Sequence, residues 1–98
     1  MIFVFHCTDK PNSLQVRLDA RPDHVAYLTK LNESGVLKFA GPYLGEDGKP
    51  IGSLVAVEAA DISAAKEIAA NDPYAKAGLF ATVETRPWTW VFNNPASA

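Results

Sequence analysis

The sequence predicts a single α+β domain, residues 1–98, of four strands and two helices. Three observations carry this. Apolar, β-branched and aromatic runs of strand length recur at 2–8, 36–40, 53–58 and 79–86. Helix-compatible stretches at 22–34 and 62–71 lie between them, bounded by proline, glycine and an aspartate suited to capping. The resulting order is β-α-β-β-α-β.

Strand one is apolar on both faces, with Ile2 and Val4 on one and Phe3 and Phe5 on the other, so it belongs in the middle of a sheet. Asn12 or Ser13 caps a helical turn over 14–18, a kinked extension of the main helix. That helix starts at about Pro22, because proline suits a first turn and not a middle, and stops at Gly35. Strand two follows and Gly41-Pro42 breaks it. The turn formers of 45–50 join strands two and three as an antiparallel pair. Asp61 caps the second helix and Pro73 ends it. Gly78 closes a short turn before strand four. An extended aromatic arm at 88–92 and a frayed tail at 93–98 complete the chain. Two helices on one face of a four-stranded antiparallel sheet is the ferredoxin-like solution to this order.

Composition narrows the classes of function. Hydrophobic residues make up 48% of the chain and charged residues 20%, ordinary proportions for a globular domain. The net charge of −2 and the absence of a Lys/Arg cluster argue against nucleic acid as a partner. No apolar run approaches the roughly 20 residues of a membrane span, and the N-terminus lacks a signal-peptide pattern. The expected location is the cytoplasm, with no membrane partner. A domain this small buries only about two-thirds of its unfolded surface. A second copy packed on the open sheet face would add core, so a homodimer is expected.

Few residues invite chemistry. His24, Tyr27, Leu28 and Leu31 share one face of the first helix, so His24 points at the sheet. A buried imidazole needs a hydrogen-bond partner. It is either a core histidine satisfied by a backbone carbonyl or a general acid–base, since imidazole titrates near neutrality. Asp72, at the end of helix two, opposes that helix's dipole, which calls for a compensating backbone amide or an imidazolium. Sequence spacing does not show that the two meet. His6 reads as a sheet residue. Cys7 is the sole cysteine and has no activating neighbour in sequence. Two histidines and one cysteine give no metal-ligand cluster, and the glycines form no phosphate-binding loop. No metal or cofactor is expected. Trp88 and Trp90 suit core or dimer packing. Arg21 and Arg86 are available as anchors for an anionic substrate, although surface salt bridges are the commoner fate of arginine.

The chain resembles the YciI-like (YCII-related) family. The resemblance rests on Arg21-x-x-His24-x-x-x-Leu28, Ala40-Gly41-Pro42, Gly52-Ser53, Asn71-Asp72-Pro73-Tyr74-x-x-Ala77-Gly78, and Arg86-Pro87-Trp88 before Val91-Phe92. It implies a dimeric α/β-barrel type of ferredoxin-like fold and an active site built on a histidine and an aspartate, here His24 and Asp72. His6 lies outside the family pattern. One branch of the family is similar to a dehydrochlorinase of a chlorinated hydroxyquinol, and muconolactone isomerases share the fold. The expected function is thus a small cofactor-free lyase or isomerase acting on a cyclic or phenolic metabolite. His24 would move the proton, Asp72 would orient it, and Arg21, Gly41, Ser53 and Tyr74 would line the substrate site. The alternative is a non-enzymatic dimeric module that binds a small molecule or serves a pathway by association. A cofactor-free monooxygenase is a third class.

Overall fold

The computed structural model of the chain describes residues 1–95. The elements in order are β1 (Ile2–Asp9), α1 (Leu14–Glu33), β2 (Leu37–Leu44), β3 (Pro50–Glu58), α2 (Ile62–Ala70), α3 (Pro73–Lys76) and β4 (Phe80–Trp88). The sheet runs β2-β3-β1-β4 with every neighbour antiparallel. This is the ferredoxin-like arrangement, with β1 and β3 central. Among the described residues no helix is long and apolar enough to cross a membrane.

The helices cover one face. Alternation along β1 sends Phe3, Phe5 and Cys7 under them, beside Val55 and Val57 of β3 and Ala65 of α2. Leu28 of α1, Ile68 of α2 and Phe80 pack on this cluster. The Tyr27 hydroxyl donates to the Ile68 carbonyl at 2.7 Å and ties the two main helices together. On the other face Val4 and Ala56 are buried without a helix above them. Phe39, Trp88 and Trp90 cover that end instead, with both tryptophans edge-on to Phe39 at 5.4 and 5.1 Å between ring centres.

Several expectations need correction. α1 is one helix of 20 residues with Pro22 inside it. Proline deprives the Leu18 carbonyl of its helical donor, but Leu18 and Pro22 are both exposed, so that carbonyl meets water. Gly41-Pro42 does not break β2; it pairs with Leu54 and Ser53. β2 is an edge strand, where a missing N–H is tolerated. The turn after α2 is a short helix, α3. Trp88 ends β4 and does not begin an arm; beyond it the Trp90 indole N–H turns back to the Phe92 carbonyl at 2.7 Å. Of the tail expected to fray, residues 96–98 lie outside the described residues.

Gly52 has a steric reason. A Cβ there would collide with the Cys7 carbonyl oxygen and press on the Tyr43 ring at 3.3 Å. The bare backbone lets β1 and β3 close up beside the site.

Candidate active site

A cleft of about 470 Å³ opens between α1 and the edge strand β2, floored by Ser53 and Val55 of β3 and closed by Tyr74 of α3. α1 lines it with Arg17, Arg21, His24 and Leu28, residues spaced by four, three and four so that they share one side of the helix.

His24 is 9% exposed. Its Nδ1 lies 2.8 Å from Asp72 Oδ1. A carboxylate oxygen only accepts, so Nδ1 carries the proton and donates. Asp72 stands just past the C-cap of α2, its N–H returning to the Ala69 carbonyl, and its carboxylate has both a backbone amide and the imidazole as compensating partners. Asn71 caps that helix, and Asp72 starts the next. Its backbone is extended (φ −62°, ψ 130°), as a residue before proline prefers. Pro73 fills the first helical position, where no N–H is needed, and Oδ1 accepts the Tyr74 N–H at 2.9 Å. The same turn sets the Tyr74 ring flat against His24, with ring centres 3.8 Å apart and planes 13° from parallel. Four consecutive residues, Asn71 to Tyr74, thus supply both the partner and the platform of the imidazole.

The other ring nitrogen faces the cleft. Among the described residues no buried side-chain nitrogen or oxygen lacks a hydrogen-bond partner. Nε2 of His24 has no hydrogen-bond partner among the described residues, so it is not fully buried. In the neutral ring protonated on Nδ1, the Nε2 lone pair points to the cleft that His24 lines. This is the posture of a general base held in one tautomer by a carboxylate.

Arg17, two turns before His24, went unnoticed in the sequence. It is 4% exposed. It grips Asp9 of β1 with two bonds, Nε to Oδ2 at 2.8 Å and Nη2 to Oδ1 at 2.9 Å, and Nη2 also donates to Ser53 Oγ at 3.0 Å. Its Cζ stands 4.7 Å from the Tyr74 ring centre. Burial works to lower its pKa, but the bond to Asp9 and its charge outweigh burial and raise it. Burial likewise pushes the Tyr74 phenol up, opposed by the charges of Arg17 and Arg21.

All the expected site residues meet here. Arg21, Gly41, Ser53 and Tyr74 line the cleft with His24, and Asp72 stands behind the imidazole. Arg21 is exposed and makes no hydrogen bond or ion pair with the described residues. Gly41 leaves open space where a side chain would go.

The rest lie elsewhere. Arg86 cannot anchor a ligand in this cleft: it is outside it and bonds Glu84 at 2.8 and 3.0 Å. His6 sits on the open sheet face, its Nδ1 2.7 Å from the Tyr43 hydroxyl. Cys7 is buried under the helices. Desolvation first, then the charges of Asp72 and Asp9, push its pKa up to about 12, against the pull of Arg17. At neutral pH it is an inert thiol.

Residues 1–89 match the YCII-related domain. The chain belongs to the YCII-related family. Protein YciI of Escherichia coli O6:H1 is 37% identical to it, over 94% of this chain and 100% of that protein. Among solved structures, this YCII-related chain is similar to the 5-chloro-2-hydroxyhydroquinone dehydrochlorinase TftG of Burkholderia phenoliruptrix AC1100, seen in complex with 2,5-dihydroxybenzoquinone. The TM-score is 0.84 and the identity 35%, over 96% of this chain and 99% of that one. An antibiotic biosynthesis monooxygenase shares the fold alone, at a TM-score of 0.50 and 14% identity over 91% of this chain and 99% of that one.

Proposed function

We propose that the cleft is the active site of a small cofactor-free lyase or isomerase acting on a cyclic or phenolic metabolite. The observation that carries this is the Nδ1–Oδ1 bond of 2.8 Å behind an imidazole whose Nε2 opens into the cavity. In this reading Nε2 takes a proton from the substrate. The electron pair left behind expels a leaving group in the lyase case, or draws the proton back at another carbon in the isomerase case. Asp72 holds the tautomer and stabilises the imidazolium. Ser53, fixed by Arg17, and the backbone at Gly41 shape the far wall, and Tyr74 keeps the ring in plane. General acid–base help of this kind is worth about 10²–10⁴-fold in rate. The likeness to a dehydrochlorinase bound to a dihydroxybenzoquinone supports a ring substrate bearing oxygens.

The test is turnover of chlorinated and non-chlorinated hydroxyquinols, followed by chloride release and ring absorbance, in wild type and His24→Ala. Loss of turnover in a variant that still folds supports the role, and turnover surviving in His24→Ala overturns it. A ligand that binds the cleft while no ring compound turns over leaves a binding module. The proposal includes a homodimer formed through the open sheet face, where Tyr43 and Trp88 are each 39% exposed. Light scattering checks it: a particle of one chain, 10.6 kDa, removes the dimer.

A further inference from the structure

The charges around the cleft are one-sided. Its lining contains the cations Arg17, Arg21 and Lys38 and not one aspartate or glutamate, in a chain whose net charge is −2. One of the three cations is already paired with a carboxylate. Arg17 is locked to Asp9 by two hydrogen bonds, whereas Lys38 is exposed and Glu58, the carboxylate whose pKa it helps to lower, pairs with the N-terminal ammonium. His24 is backed by Asp72. Arg21 and Lys38 have neither a hydrogen bond nor an ion pair within the described residues, and of the two it is Arg21 that stands on α1, three residues before His24, with its five donors available at the cleft. Much of the remaining lining is apolar, around Leu28, Leu37 and Val55, with Thr29, Asn32 and Ser53 among its neutral polar members.

Position along α1 orders these features. Arg21 precedes His24 by three residues, about 4.5 Å along the helix axis, and Leu28 follows His24 by four, about 6 Å further on. The cleft therefore offers a cation, a proton acceptor and an apolar wall in sequence along one side. A guanidinium without a counter-charge at the side of a cleft binds a planar anionic oxygen group better than a neutral one.

We infer that the ligand of this cleft is a ring compound carrying one anionic oxygen group, carboxylate or phenolate, held by Arg21 while its apolar edge lies toward Leu28 and its reacting atom meets His24 Nε2. This rests on the cleft being the ligand site proposed above and adds the charge of the substrate and its direction in the cleft. Arg21 becomes the residue that selects the substrate, and His24 the one that acts on it. About one helical turn between them matches the span of a six-membered ring.

The experiment uses three probes: benzoate, 4-nitrophenolate and the neutral benzamide. Binding is followed by amide ¹H–¹⁵N shifts of cleft residues, in wild type, Arg21→Gln and Arg21→Lys. Arg21 is exposed, so neither substitution threatens folding. Wild type is expected to bind at least one of the two anions about tenfold more tightly than benzamide, and which one tells carboxylate from phenolate. Added salt should weaken only the anion. Arg21→Gln should abolish the preference and leave benzamide affinity unchanged, and Arg21→Lys should keep part of it. Equal affinity for all three probes, or an equal loss of all three in Arg21→Gln, overturns the charge selection while the cleft remains the ligand site. Cleft amides that move with none of the probes overturn the charge selection and the location of the site together.

Discussion

Replacing Asp72 with alanine removes one buried oxygen that holds two hydrogen bonds. Oδ1 accepts the Tyr74 N–H at 2.9 Å and faces His24 Nδ1 at 2.8 Å, and Asp72 is 6% exposed. Losing a helix cap costs about 1 kcal/mol. Leaving the imidazole N–H without an acceptor in a buried site costs about 1–3 kcal/mol more. The variant should lose about 3 kcal/mol, a fall in Tm of about 12–24 °C for a domain of this size. Asp72→Asn keeps an acceptor for Tyr74 and should lose about 1 kcal/mol. Urea unfolding followed by circular dichroism measures both, with an unchanged slope confirming that the loss is one of stability. The decisive arm is the pair. His24→Phe in the Asp72→Ala background removes the orphaned donor, so the double variant should be more stable than the sum of the single losses by about 1–2 kcal/mol. A loss below about 0.5 kcal/mol in Asp72→Ala, or strict additivity, would refute the coupling of these two side chains.

Two arginines should behave in opposite ways. Arg17→Met strands the Asp9 carboxylate, whose side chain is 7% exposed, and should cost about 3–5 kcal/mol, whereas Arg86→Gln breaks a surface pair and should stay within about 0.5 kcal/mol, both by urea midpoint. Two glycines should also differ: Gly52→Ala meets the Cys7 carbonyl and should cost about 2–4 kcal/mol, while Gly41→Ala has room and should change stability by less than about 0.5 kcal/mol. Cys7 gives a pH dependence. Its thiol keeps the proton up to about 12 in the folded chain and to 9.0 in the unfolded one. Between those values the unfolded state binds fewer protons, so stability is fully present below 9.0 and falls as pH rises towards 12. Tyr27 and Tyr74, also raised by burial, push the same way. Urea midpoints across this window should fall less steeply in Cys7→Ala than in wild type, and equal slopes would contradict the burial of the thiol.

The strands and the two main helices were legible because each carries its own periodicity or punctuation. β1 showed its central place through apolar residues on both faces, and Asp61 marked the start of α2. Proline misled twice, at Pro22 and Pro42. What makes each tolerable, an exposed helix side and an edge strand, belongs to the assembled fold and not to the neighbouring residues. α3 spans less than the window in which a helical period can be seen, so Asp72 read as the end of one helix when it begins another. The proline after it was the available sign, since Asp-Pro fits a cap followed by a first helical position. His24 was legible as a sheet-facing histidine and an imidazolium as one possible partner of Asp72, but the two lie 48 residues apart, and it was the family resemblance that selected the pair. Arg17 was missed because a buried arginine looks like a surface one until Asp9 is placed across from it. Its one signal was a spacing of seven from His24, two helical turns on the same side. The cleft itself follows from α1 lying over an edge strand, which no local pattern records.

The most direct measurement is the ring ¹⁵N spectrum of His24, assigned through its loss in His24→Gln. A neutral imidazole protonated on Nδ1, with a low-field ring proton that disappears in Asp72→Ala, and an Nε2 resonance that moves when 2,5-dihydroxybenzoquinone is added, is the expected result. A ring protonated on Nε2, or one whose nitrogens ignore both the Asp72 substitution and every ring compound tried, would mean that the imidazole is a packed core residue and the cleft beside it has no base.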